Sequence, residues 1–203
     1  METEGSEQQR GIVRIRYLTH PQVQIDRRIP VPMWELSVVG RERILKLIKS
    51  NFLLGTTRVV SSGEAKAIET GQMISTSLGV ALEVNEAMHE NDRSATGYLP
   101  FDEFDAVANE FFAYPTKRIR GWERATDAQS RIVSAVVSVL KQNLTGDILF
   151  IGHGAVGTLL LCHYLRVGID RIHDQAPGGG QFFTMLNETR QILHSWRGIE
   201  ETF

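Results

Sequence analysis

Hydrophobic and polar positions divide the chain into blocks of alternating strand-like and helix-like character. The first block, Ile12-Val13-Arg14-Ile15-Arg16-Tyr17-Leu18, is rich in branched and aromatic residues, with arginine at alternate places. That pattern suits a partly covered strand. It breaks at Thr19-His20-Pro21, because proline lacks an amide hydrogen and disfavours helix at the residue before it. The strand therefore ends with an imidazole at its carboxyl end. An irregular stretch with Pro30 and Pro32 comes next. Ser37 then stands as a helix cap, and Leu36, Val39, Ile44, Leu47 and Ile48 recur at near-helical spacing as far as Phe52, with Gly55 as the terminator. Thr57–Ser61 reads as a second strand. Ser62-Gly63-Glu64 opens a helix whose apolar face is Ala65, Ile68, Met73, Ile74 and Leu78 and which stops at Gly79. Ala81–Val84 is a short third strand.

The middle of the chain is less regular. Asn85–Pro100 is rich in Asn, Asp, Glu, Ser and Gly and reads as a long loop, a kind of segment that in compact domains is usually functional or mobile. A short helix over Phe101–Phe112 is broken by Pro115. Trp122–Leu140 forms a longer helix with Ile132, Val133, Val136, Val137 and Leu140 turned inward. Gly146 and Asp147 lead into a strand at Ile148–Ile151, and a helix begins after His153. After a turn at Gly178-Gly179-Gly180, Phe182–Leu186 and Arg190–Trp196 close the chain as a hairpin around Asn187-Glu188. This alternation predicts an α/β three-layer sandwich, with a mainly parallel central sheet and helices on both faces. One domain spans 11–203, preceded by a polar, acidic tail, Met1–Arg10.

Composition narrows the class without naming it. At 203 residues the chain can bury a sizeable single core. A net charge of −2 gives no electrostatic case for nucleic acid or an anionic membrane. No apolar run is long enough to span a bilayer, and the first residues lack the apolar core of a signal peptide, so a cytoplasmic protein is expected. The sole cysteine, Cys162, lies in Leu159-Leu-Leu-Cys-His-Tyr-Leu and reads as a buried, inert thiol. Trp34, Trp122 and Trp196 read as packing anchors. No segment marks an interface, and a homodimer is compatible with the chain.

The chemistry begins with His20 and His153, each just past an apolar strand. In open α/β sheets the ligand crevice lies outside the carboxyl ends of the strands, so the two imidazoles are expected to meet at one phosphate site. Gly152-His-Gly154-Ala-Val-Gly157 matches the dinucleotide fingerprint, but little chain remains after it and no strand ends in the acidic residue that reading requires. The glycines still permit close backbone approach, and a helix amino end favours an anion, which makes Gly154 a phosphate-contact candidate. His153, His163 and His173 recur at an interval that does not suit one helical face, so a metal site is not expected.

Four stretches in order resemble the motifs of the histidine phosphatase superfamily, the fold of phosphoglycerate mutases and broad-specificity acid phosphatases. They are Thr19-His20-Pro21, Ser62-Gly-Glu-Ala-Lys66-Ala-Ile-Glu-Thr70, Val84-Asn85-Glu86 and His153-Gly154. The first stands where the family has Arg-His-Gly, and Lys66 stands where it has a second arginine. A lysine offers a point charge in place of the bidentate arginine fork, so the pocket has lost one cation and weakened another. Arg27, Arg28 and Arg93 are the loop cations placed to compensate, with Ser62 a further phosphate contact. The resemblance implies a metal-independent phosphatase without cofactor, acting on a small phosphomonoester. His20 would form a phosphohistidine, a protonated His153 would stabilise the equatorial oxygens, and Glu86 would protonate the leaving oxygen, with Glu90 and Asp92 as rival acids. A catalytically silent member of the same fold, sensing a phosphate ligand or serving as an interaction module, is the alternative that the missing arginine favours.

Overall fold

The computed structural model describes residues 12–142 and 145–203. The expected tail therefore lies outside the described residues. Six strands form one sheet: β1 (Arg14–Thr19), β2 (Thr56–Ser62), β3 (Leu82–Asn85), β4 (Asp147–Gly152), β5 (Gln181–Leu186) and β6 (Ile192–Gly198). Their spatial order is β3-β2-β4-β1-β5-β6, in which β3, β2, β4 and β1 pair in parallel and β5 runs antiparallel to both β1 and β6. Five helices complete the sandwich: α1 (Val38–Lys49), α2 (Ala65–Leu78), α3 (Phe101–Ala113), α4 (Ala125–Leu140) and α5 (Gly154–Leu165).

The period-two pattern of the strands sorts the core into two layers. Ile15, Tyr17, Ile148, Phe150, Phe183 and Met185 project to the face covered by α3, α4 and α5. Leu18, Val59, Leu149, Ile151 and Phe182 project to the face covered by α1 and α2. The three-layer α/β architecture is as expected, and so is the closing hairpin. The helix signals acted as read at both ends: Ser37 Oγ accepts from the Gly40 amide at 3.1 Å, and Gly79, at φ 67°, closes α2. Cys162 is buried within α5.

Three local expectations need correction. Arg16 does not face solvent, because β1 is an interior strand; its guanidinium is buried and bonds Asp147 Oδ2 at 2.9 Å, over the Phe52 ring. The first helix stops at Lys49 rather than at Gly55, since Ser50 turns the chain into a separate single turn at Asn51–Leu53. Trp122 precedes α4, held by a bond from its Nε1 to Thr96 Oγ1 at 2.8 Å. No helix among the described residues is long and apolar enough to cross a membrane.

Candidate active site

The topology brings the two histidines together directly. β1 and β4 are parallel neighbours with Thr19 opposite Gly152, so the next residue of each strand is a histidine. The His20 amide continues the ladder by donating to Gly152 O at 3.0 Å. The ring centroids stand 5.2 Å apart, with the planes inclined at 68°. His20 Nδ1 lies 2.8 Å from the carbonyl oxygen of Pro21. A carbonyl only accepts, so Nδ1 carries the hydrogen and the neutral ring leaves its Nε2 lone pair free. Burial, reinforced by the nearby Lys66 cation, lowers the His20 pKa to about 4 against the pull of that carbonyl.

His153 is wholly enclosed. Its backbone amide donates to the Tyr17 hydroxyl at 3.1 Å, and that hydroxyl donates back to the His153 carbonyl at 3.3 Å. Gly152 is required for this approach, since a Cβ there would fall 2.1 Å from the Tyr17 oxygen. In the ring, Nε2 is 2.7 Å from Ser62 Oγ, and Nδ1 is buried with no hydrogen-bond partner among the described residues. Burial drives the His153 pKa well below its ordinary value; Glu64 opposes this, while His20, Lys66 and Arg93 reinforce it. Burial thus works against the protonated His153 that the resemblance implies, and the Glu64 carboxylate works for it.

Glu64 is the residue that sequence reasoning missed. Its carboxylate forms a buried ion pair with Lys66, accepts the Glu90 amide at 2.8 Å, and comes within 3.6 Å of His153 Nε2. Burial works to raise its pKa, but His153, Lys66 and the Glu90 amide prevail and lower it to about 2. Lys66 also donates to Val31 O at 2.9 Å. The expected phosphate-facing lysine is therefore buried and already paired. The signal for Glu64 lay inside the motif, two residues after Ser62 and two before Lys66.

The loop after β3 walls a cavity of about 650 Å³ beside this cluster, with Gly63, Glu64, Glu86, Glu90, Asp92 and Arg93 among its lining residues. β3 runs beside β2 with Asn85 opposite Ser62, so Glu86 emerges next to Gly63. The two are so close that a Cβ on Gly63 would lie 2.0 Å from Glu86 Oε2. Among the described residues, the Glu86 carboxylate has no ion pair or hydrogen bond. The rest of the loop is pinned from α4: Arg131 donates to the carbonyls of Ala87 and His89, each at 2.9 Å, and pairs with Glu123 at 2.7 Å.

The remaining candidates separate clearly. Glu90, expected as a rival acid, is engaged instead. Its carboxylate accepts from the amides of Ala155 and Val156 at 3.2 and 3.1 Å, capping α5. It thus occupies the helix end at which Gly154 was expected to receive phosphate, and the Cα of Gly154 faces the Gln175 amide. Asp92 turns back on its own loop, accepting from the Ser94 amide at 2.8 Å. Arg28 is exposed and paired with Asp26, and Arg27 stacks on Tyr98, so neither reaches the histidines. Arg93 does line the cavity, lies over the Phe104 and Trp122 rings, and has no ion pair among the described residues. Thr19, in place of the motif arginine, accepts from the Gln181 amide at 3.0 Å and donates to Gln175 Oε1 at 2.7 Å, joining β1 to β5.

A family model for the histidine phosphatase superfamily (branch 1) matches residues 26–181. The chain belongs to this superfamily. The matched region contains Lys66, Glu86 and His153 and begins after His20. No curated protein sequence matches the chain. Among solved structures it is similar to mycobacterial glucosyl-3-phosphoglycerate phosphatase, with 17% identity, a TM-score of 0.71, and coverage of 91% of this chain and 96% of the other. It is also similar to Bacillus stearothermophilus YhfR (18% identity, TM-score 0.73, coverage 90% and 95%). A third is phosphoserine phosphatase from Entamoeba histolytica (15% identity, TM-score 0.74, coverage 95% and 100%). At these identities the likeness is one of fold, and it places this superfamily member among phosphoglycerate mutase-like structures.

Proposed function

We propose that the protein hydrolyses a small phosphomonoester through a phosphohistidine at His20. The observation that carries this reading is the geometry of His20: a neutral ring, one nitrogen fixed by the Pro21 carbonyl, the other free, and a second imidazole 5.2 Å away. The Nε2 lone pair attacks phosphorus, forming an N–P bond as the P–O bond to the leaving group breaks. Glu86, the carboxyl without another partner among the described residues, gives its proton to the leaving oxygen. A water molecule then attacks the phosphohistidine and returns a proton to Glu86, and phosphate departs. Arg93 supplies the accessible positive charge, and Lys66 adds its field from behind Glu64. His153 contributes through Nδ1, the buried nitrogen without a partner, which becomes a donor once a dianion draws a proton onto the ring.

The test is single-turnover hydrolysis of a phosphomonoester panel by wild type, His20→Ala and His153→Ala, with and without a chelator. Wild type should trap an acid-labile, base-stable phosphoenzyme unaffected by the chelator, His20→Ala should trap none, and His153→Ala should turn over slowly. Robust turnover by His20→Ala sinks the mechanism. The silent-member reading has its own support: Glu64 and Glu90 already place carboxylates on Lys66 and on the amino end of α5. It prevails if phosphate binds between the histidines and no ester is cleaved.

A further inference from the structure

We infer that the substrate's leaving group is apolar, an alkyl or aryl alcohol rather than a sugar acid or amino acid; this rests on the phosphatase reading above. The cavity lined by Glu64, Glu86 and Arg93 adjoins a second one of about 230 Å³. Val31, Arg93 and Gly97 line both, so the two lie side by side across these residues. The annex is walled by Ile25, Trp34, Tyr98, Leu99, Phe101 and Phe104. Among the described residues its one charged lining side chain is Arg93, which stands at the junction. Trp34 and Tyr98 pack together with ring centroids 5.7 Å apart, the Trp34 Nε1 is bonded to the Asp26 carbonyl at 2.8 Å, and the Tyr98 hydroxyl accepts from Arg27 at 3.3 Å, so the wall presents mainly aromatic surface. Phe101 and Ile25 form its outer rim and remain 69% and 53% exposed. Solvent-facing aromatic surface contiguous with a catalytic cavity marks a ligand-binding wall.

Size and charge select the occupant. An apolar cavity of about 150 Å³ accepts a benzene ring, so the annex holds one aromatic ring or a short alkyl chain. A glycerate or serine leaving group would carry a carboxylate into a space whose one lining cation among the described residues is Arg93, which the phosphate also needs, with Arg27 held behind the wall on Tyr98. With the phosphoryl group beside His20 and Arg93, the ester oxygen points toward the junction and the leaving group enters the annex.

The experiment is kcat/KM along an alkyl phosphate series from methyl to hexyl, with phenyl phosphate and 3-phosphoglycerate for comparison, in wild type, Ile25→Ser and Phe101→Ser. Neither varied residue touches the histidines. In wild type, kcat/KM should climb about fourfold per methylene until the annex is filled, and phenyl phosphate should exceed 3-phosphoglycerate. Both variants should flatten the climb. A flat wild-type series, a preference for 3-phosphoglycerate, or a climb that both variants preserve overturns the inference. If no phosphomonoester is cleaved at all, the phosphatase reading fails instead. Calorimetric binding of the matching alkylphosphonates then decides the annex alone: affinity rising with chain length supports it, and affinity independent of length refutes it.

Discussion

Glu64→Gln should weaken the fold and strengthen phosphate binding, two effects of opposite sign from one buried charge. The substitution keeps the side chain's volume and can still accept the Glu90 amide, which now lies 2.8 Å from Oε1. What it removes is the counter-charge of Lys66, a lysine only 3% exposed whose one other bond is to Val31 O at 2.9 Å. Leaving one member of a buried pair uncompensated costs about 3–5 kcal/mol, and the retained carbonyl bond puts this case near the lower end. Against that, the Glu64 carboxylate stands 3.6 Å from His153 Nε2, and a carboxylate about 5 Å from a phosphate repels each unit of its charge by about 3 kcal/mol at an effective dielectric of about 20. Removing the carboxylate should tighten inorganic phosphate by about a hundredfold or more. Urea unfolding measures the first effect, and competitive inhibition by phosphate, or calorimetry on the folded variant, measures the second. Phosphate affinity that is unchanged or weaker in Glu64→Gln would refute the reasoning, for it would mean that Glu64 serves only to hold Lys66 in place.

Arg93→Ala should raise KM for every phosphomonoester by about tenfold or more, since a cation bonding to phosphate contributes about 1.5–3 kcal/mol, with little change in urea midpoint; steady-state kinetics checks it. Arg131→Leu should release the loop after β3, lowering both kcat and stability, and faster hydrogen exchange at Ala87–Asn91 would register the change. The pH profile is set by His20. Its pKa of about 4 lies below that of the unfolded chain, so native stability is full above about pH 6.5 and is lost as pH falls toward 4, by about 3 kcal/mol for this ring. The acid limb of kcat/KM should accordingly lie near pH 4, and a limb near 6.5 contradicts a buried neutral nucleophile.

Most of the fold was legible because its strands and helices differ in period. Leu149 and Ile151 against Ile148 and Phe150 sort to opposite faces of β4, as an alternating strand buried on both sides must. The parallel order could be read from His20 and His153 both ending strands. Arg16 misled, because a buried arginine reads as a solvent-facing one until its partner Asp147, far along the chain, is known. The same limit governs the site. The two histidines and Glu86 sit at strand ends, which sequence marks. Whether the Glu90 carboxylate is free, and whether Arg27 or Arg28 reaches the pocket, depends on partners that sequence does not reveal: the α5 amides, Tyr98 and Asp26. Glu64 sat in plain view inside a motif, but nothing local distinguishes a buried carboxylate from the solvated first turn of a helix.

The replaced arginine and the buried Glu64 belong to one electrostatic arrangement. A pocket that binds a dianion must hold cations in place before the dianion arrives, and cations buried without a counter-ion are costly. A half-buried cation like Arg93 escapes much of that cost through water and aromatic rings. Lys66 is too deep to do so, and Glu64 supplies its counter-ion from two residues away. Glu90 does for the amino end of α5 what Glu64 does for Lys66. With both internal positions neutralised, Thr19 needs no charge and instead joins β1 to Gln175 and Gln181. The positive charge left for a substrate is Arg93, at the mouth of the cavity and the threshold of the apolar annex. On the proposed phosphatase reading, selectivity would therefore turn on the leaving group that the annex admits more than on how tightly the phosphate itself is held.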